Sequence, residues 1–230
     1  TPPRKRVIDV AVDGLARSVS ALAQESNVTP AVVRGLIDAN SLVAVELPEF
    51  TPFENPDPGF ANVTLSLEQE AASRSMKAAV AAKRFSVSLL DGVTGSGKTE
   101  TYFEAVAEAM RSDKQVLILL PEIALTIQFL DRFAQRFGCR PAEWHSDLSQ
   151  KERRHVYRAA MSGEARVIVG ARSSLFLPFK ELGLIIVDEE HEQAYKQEDG
   201  AIYHARDMAV VRARIAHCPV VLASATPSLE

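Results

Sequence analysis

A doubly wound α/β domain built on a parallel sheet is the fold this sequence predicts, and three observations carry the prediction. Five short runs rich in Val, Ile and Leu, at 86–90, 115–120, 165–170, 182–187 and 219–224, have the length and composition of buried strands. Helical patterns at 67–83, 98–111, 125–137, 149–162 and 204–216 alternate with them, the order of βαβ units with helices on both faces of a sheet. A glycine-rich stretch at 92–99 joins the first run to the second helix, which puts a turn able to hold an anion at a strand end.

With 230 residues and 47% hydrophobic content, the chain can bury one large core with a small appendage rather than two full-size domains. The appendage comes first. ARSVSALAQES reads as an amphipathic helix and Asn27 as a turn, with Thr29 and Pro30 as the N-cap and first residue of a second helix ending near Asn40. LVAVEL then reads as a strand. Together these resemble a helix-turn-helix with the beginning of a wing, and equally a packing module that touches no DNA. Pro48, Pro52, Pro56 and Pro58 stop helix or sheet from continuing. The expected organisation is therefore a winged-helix-like domain and proline-rich linker over 1–60, followed by the main domain over 61–230.

Composition removes several function classes. No run of about 18 apolar residues exists, and TPPRKRVIDV lacks the apolar core of a secretory leader, so a cytoplasmic protein without membrane contact is expected. Cys139 and Cys218 stand alone, which gives neither a disulfide framework nor a zinc site. The net charge of -4 lacks the bulk basic character of many nucleic-acid binders, so any DNA contact is confined to a local face.

Two motifs carry chemistry. Gly92-Val-Thr-Gly95-Ser96-Gly97-Lys98-Thr99 fits GxxxxGK[ST] between a strand and a helix. Its glycines let backbone N–H groups turn toward phosphate oxygens, Lys98 supplies a positive charge to the β- and γ-phosphates of ATP, and the Thr99 hydroxyl is a ligand for Mg²⁺. Further on, the strand at 182–187 delivers Asp188 and Glu189 at its carboxyl end, the edge of such sheets where ligands bind. Asp188 is the candidate holder of Mg²⁺ through water. Glu189 is the candidate to orient or deprotonate the attacking water, so Lys98, Asp188 and Glu189 form the expected catalytic set.

The sequence resembles a known family through GVTGSGKTE, PEIALT at 121–126, HSDLSQKER at 145–153, GARSSLFLPF at 170–179, DEEH at 188–191, YKQEDG at 195–200, YHARD at 203–207 and SATPS at 224–228. In this order they resemble the PriA-type replication-restart helicases of superfamily 2, from about Leu65 onward. The resemblance implies a RecA-like first helicase lobe and an ATP-driven 3′ to 5′ DNA helicase that assembles primosomes at stalled forks. Implied partners are forked or single-stranded DNA, primosome proteins and single-strand-binding proteins, in a bacterial, nucleoid-associated setting. It also implies that a second lobe and a zinc-binding module lie outside this chain, which would then bind Mg-nucleotide without unwinding DNA.

Further roles follow from the same resemblance. Gln69 falls where such helicases read the adenine edge, yet Ser66-Leu-Glu-Gln69 is also a capping box. Thr126, Arg172 and Ser173 fall in motifs that lie along the DNA backbone, where solvated loop polarity is the competing reading. Ser224 and Thr226 fall in a motif that couples nucleotide state to DNA grip. Tyr195, Lys196 and Arg206 fall in an aromatic-rich loop suited to stacking unpaired bases, although Ala201 and Ile202 replace the aromatic and basic residues expected there. The competing function is a DNA-binding regulator whose nucleotide site only senses ATP.

Overall fold

The computed structural model describes residues 1–14, 17–45, 51–121, 127–198 and 200–227. The chain divides into two compact units, Thr1–Phe50 and Thr51–Glu230.

The first unit contains three helices, α1 (Pro2–Ala11), α2 (Val19–Glu25) and α3 (Pro30–Asp38). Val7 of α1 meets Leu22, Ala23, Val33 and Leu36 in a small core. The sequence pattern missed α1, whose N-terminal prolines sit where helix N–H groups have no intrahelical partner anyway. Helix α2 starts at Val19, later than expected, because the Ser18 hydroxyl accepts from Ala21 N–H at 3.1 Å and fixes the helix start. Asn27 makes the turn with φ of 49°, a left-handed conformation that asparagine tolerates better than most residues. Thr29 occupies the N-cap position before Pro30, but its hydroxyl makes no capping bond. The expected wing strand is not seen in residues 42–45. Val43 and Val45 are 82% and 61% exposed, and an extended segment without a ladder partner leaves its backbone groups to water. Residues 46 and 47 of that run lie outside the described residues.

The second unit begins inside the expected linker. Phe53 stacks on His155 at 4.3 Å, and its backbone N–H donates to Glu164. Asp57 N–H donates to the Phe137 carbonyl at 2.9 Å. Phe60 packs over Gly138, whose φ of +84° and missing Cβ allow the ring within 3 Å of where a Cβ would stand. The prolines keep this segment extended, and its aromatic rings hold it against the domain.

From there the elements run α4 (Leu67–Ala81), β1 (Ser86–Asp91), α5 (Lys98–Arg111), β2 (Gln115–Leu119), α6 (Ile127–Phe137) and β3 (Ala142–Trp144). The second half comprises α7 (Gln150–Ser162), β4 (Val167–Gly170), β5 (Leu182–Asp188), β6 (Lys196–Gln197), β7 (Tyr203–His204), α8 (Ala205–Ile215) and β8 (Pro219–Ser224). All five expected strands and all five helices are present, with ends within a few residues. Strand β3 and the β6–β7 hairpin carry too few apolar residues to announce themselves.

Six strands pair in the order β1-β8-β5-β2-β4-β3, every pair parallel. One sheet face packs on α4, α5 and α6 through Val80, Phe103, Val106, Phe133 and Phe137. Alanines 205, 209 and 213 of α8 cover Leu117, Ile185 and Val220 on the other face. Neighbouring residues along β2 and β5 serve opposite cores, which is why those runs are apolar throughout. Strand β1 departs from that pattern: it is an edge strand, and Val87 and Leu89 remain exposed.

Gly170 ends β4 where a Cβ would stand 2.5 Å from the Trp144 carbonyl oxygen and 3.0 Å from Ser174. Gly170→Ala is expected to lower unfolding free energy by about 1–3 kcal/mol through overpacking, measurable by denaturant titration with an unchanged m-value.

Candidate nucleotide-binding site

Parallel pairing brings the two motifs together. Strand β8 lies between β1 and β5, with Asp91 opposite Ser224 and Asp188 opposite Ala223. The loop after β1 and the carboxylates after β5 therefore leave the same edge of the sheet, one strand apart.

The loop is shaped by its glycines. Gly95 and Gly97 have φ of +80° and +78°, and Gly97 is the N-cap of α5. The first N–H groups of that helix have no carbonyl a turn earlier, which leaves donors and a positive dipole end for a phosphate. A Cβ on Gly97 would come 2.5 Å from Gln69 Nε2, and one on Gly92 2.7 Å from the Ser96 hydroxyl. Gly97→Ala therefore strains the backbone and displaces Gln69. Left-handed geometry disfavours alanine by about 1–2 kcal/mol, so nucleotide affinity is expected to fall roughly tenfold or more, measurable by calorimetry.

Lys98 is buried at the start of α5, and its ammonium donates to the Gly92 carbonyl at 2.7 Å and lies 3.4 Å from that of Val93. Gln69 closes the capping box with Ser66, its side-chain oxygen accepting from Ser66 N–H at 2.8 Å. The same side chain donates to the Ser96 carbonyl at 2.7 Å. Gln69 thus ties the start of α4 to the phosphate loop, and its amide group is occupied at both ends.

Asp188 is buried at the end of β5, and burial holds its carboxyl above the ordinary range. Its Oδ2 accepts from the Tyr102 hydroxyl at 2.8 Å and its Oδ1 from Glu189 N–H at 3.0 Å. Tyr102 stands three residues after Thr99 on α5, on the same face of the helix. The helix that carries Thr99 thus also reaches Asp188, through Tyr102. A hydroxyl and a carboxylate are hard oxygen donors of the kind Mg²⁺ prefers, so the residues present fit Mg-ATP.

Glu189 has φ of 49°, which is uncommon for a residue other than glycine and turns the chain sharply after β5. Its carboxylate lies 3.7 Å from His191 Nδ1, which lies 2.7 Å from the Ser224 hydroxyl. Ser224 is itself buried: its hydroxyl accepts from Thr226 N–H at 3.1 Å and its carbonyl from Gly92 N–H at 3.2 Å. The end of β8 therefore touches both the phosphate loop and the acidic turn. Thr226 is exposed just beyond it.

The remaining expected site residues are distributed unevenly. Arg172 donates to the Lys196 carbonyl, and Ser173 accepts from the Trp144 indole at 2.9 Å. Lys196 is exposed and paired with Glu198 at 2.9 Å. Thr126 lies outside the described residues. Tyr195 is a correction to the stacking expectation: it is 0% exposed, and its hydroxyl lies 2.6 Å from the Asp188 carbonyl and 3.0 Å from that of Leu119. Its ring is core and cannot receive a base. Arg206 likewise turns inward, pairing with buried Glu190 at 3.3 Å and with Asp207 at 2.9 Å. The aromatic faces presented here are instead Phe176, largely exposed, and Tyr203, edge to face with it at 5.5 Å.

Sequence reasoning missed Tyr102, Glu190, His191 and Phe176. Tyr102 was open to discovery, since position i+3 on a helix shares a face with Thr99. The other three depend on contacts across the sheet edge.

The fold and this phosphate-binding edge define a RecA-like helicase lobe. Residues 69–230 match the DEAD/DEAH box helicases, and the chain belongs to that family. Among curated proteins it is similar to the replication restart protein PriA of several bacteria. That of Rickettsia felis is 52% identical over 142 residues, 62% of this chain and 22% of the relative. The Bacillus subtilis protein is 47% identical over 166 residues, 72% of this chain and 21% of the relative. For Chlamydia pneumoniae the figures are 45% over 198 residues, 85% and 26%. The chain thus spans roughly a fifth to a quarter of the length of these relatives. Solved structures that share the fold include RecG and Hef. RecG bound to a three-way DNA junction has a TM-score of 0.57 at 22% identity, covering 73% of this chain and 22% of that one. The Pyrococcus furiosus Hef helicase domain has a TM-score of 0.51 at 20% identity, covering 71% and 33%.

Proposed function

We propose that this chain is the ATP-binding lobe of a DNA helicase that acts in replication restart. The observation that carries this reading is that the phosphate loop opening α5 and the carboxylates of Asp188 and Glu189 leave one sheet edge, with Tyr102 of α5 bonded to Asp188. Lys98 leaves its loop carbonyls for the β- and γ-phosphates, and the loop N–H groups and the start of α5 hold their oxygens. Thr99 and, through water, Asp188 would hold Mg²⁺, which would supply charge neutralisation at the phosphates. Glu189 orients the attacking water and takes its proton, with His191 at 3.7 Å to hold the carboxylate in place.

DNA runs along the surface marked by Arg172, Ser173 and Lys196, and these residues, with Thr126 of the PEIALT motif, hold phosphates without reading sequence. Release of Lys196 from its exposed partner Glu198 has little energetic consequence, since water and salt screen such a pair. Ser224 and Thr226 couple this grip to the nucleotide, a role supported by the bonds of Ser224 to Gly92 and His191. Gln69 acts first as a brace between α4 and the phosphate loop, and contact of its amide with the adenine edge requires it to give up one of those two bonds. The wider role is 3′ to 5′ unwinding at forked DNA in the bacterial cytoplasm and nucleoid, with primosome and single-strand-binding proteins as partners. The N-terminal three-helix unit, 1–50, serves as a separate module before the motor lobe.

The test is steady-state ATP hydrolysis by the full-length protein with and without single-stranded or forked DNA, beside strand displacement on substrates with 3′ or 5′ tails. Strong DNA stimulation together with polarity-dependent displacement is expected. Slow turnover indifferent to DNA would replace this reading with that of a nucleotide-sensing regulator.

A further inference from the structure

We propose that Tyr102 is a positioning residue for the magnesium–nucleotide site, its hydroxyl aiming the Asp188 carboxylate at Thr99. The proposal rests on the nucleotide reading above and assigns a role to a side chain outside both sequence motifs.

Tyr102 is 0% exposed in a cluster whose other aromatic members, Phe103, Phe133 and Phe137, are all phenylalanine. Packing alone asks for no hydroxyl there, and a buried hydroxyl without a partner is unfavourable. This one has its partner at the site itself: it donates to Asp188 Oδ2 at 2.8 Å. A tyrosine hydroxyl keeps its proton at neutral pH, and a carboxylate can only accept, so the bond runs from Tyr102 to Asp188. Asp188 Oδ1 is held separately by Glu189 N–H at 3.0 Å. With one donor on each oxygen the carboxylate plane is fixed, and each oxygen keeps a second lone-pair direction. Because α5 carries both Thr99 and Tyr102, a single rigid helix sets the hydroxyl ligand and the orientation of the carboxylate across the sheet edge.

Calorimetric binding of the non-hydrolysable analogue AMPPNP to the full-length protein, in Mg²⁺ and separately in EDTA, tests this. In the unaltered protein Mg²⁺ strengthens binding; if it does not, the nucleotide reading itself fails. Tyr102→Phe keeps the ring and is expected to weaken binding in Mg²⁺ on the order of tenfold, the scale of one hydrogen bond to a charged group, while affinity in EDTA stays unchanged. Equal loss in both buffers would assign Tyr102 to packing, and no loss in either would remove its role. The double variant Tyr102→Phe with Asp188→Asn lacks the buried charge that the single variant leaves underpaired, so it also serves if the single variant folds poorly. It should bind Mg-nucleotide no more weakly than Asp188→Asn alone, and a further loss would overturn the proposal.

Discussion

Lys98→Ala is expected to leave the protein folded and to end ATP turnover. Lys98 opens α5, where alanine is the best helix former, and the carbonyls of Gly92 and Val93 that it contacts belong to a loop that water reaches. Removing the ammonium takes away a charge-assisted bond to phosphate worth about 1.5–3 kcal/mol, roughly 10- to 150-fold in nucleotide affinity. The chemical step loses more, because negative charge shifts among the phosphate oxygens as the bond breaks. A drop in kcat on the order of 10²–10³ is expected, as for other preorganised electrostatic donors. Calorimetry, steady-state ATPase assays and thermal unfolding give the three readouts. Retained DNA-stimulated turnover in a folded Lys98→Ala variant would contradict the phosphate-loop assignment.

For Glu189→Gln the expected pattern separates the two effects: binding preserved, hydrolysis lost. The amide keeps the shape of the side chain and its place near His191 but cannot accept a proton from water, which for a general base amounts to about 10²–10⁴ in rate. The Kd for Mg-ATP should change little, since Asp188, Thr99 and Lys98 are untouched. A loss of affinity matching the loss of kcat would make Glu189 a structural residue. Glu189→Gly separates chemistry from backbone strain. With φ of 49°, glycine removes a left-handed penalty of about 1–2 kcal/mol, against which its greater unfolded-state entropy sets roughly 0.5–1 kcal/mol. This variant should therefore melt no lower than the unaltered protein and still fail to hydrolyse ATP.

The first unit was the least legible part of the sequence. α1 lies in a short polar stretch whose one fully buried side chain is Val7, too little to produce a recognisable period. LVAVEL has the composition of a strand, yet its described residues form none, because strand propensity needs a partner ladder to act on. Proline forbids helix and sheet, so the proline-rich stretch predicts a linker, but local sequence does not register Phe53 finding His155 or Phe60 finding Gly138.

Local sequence by itself determined the parallel α/β architecture, the phosphate loop with its start of α5, and the two carboxylates at the end of β5. Each of these is written in neighbouring residues: continuous apolar runs mark strands buried on both faces, and glycines followed by Lys98 and Thr99 mark a strand-to-helix turn open to phosphate. Only the tertiary structure decided that β8 lies between β1 and β5, and so that Ser224 touches both Gly92 and His191. It also decided that Tyr195 turns into the core, that Arg206 is spent on Glu190, and that Tyr102 reaches Asp188 from a helix 86 positions earlier in the chain. Strand order and side-chain burial are set by contacts between distant segments, where the burial of apolar surface and the pairing of buried polar groups outweigh what any local window of sequence records.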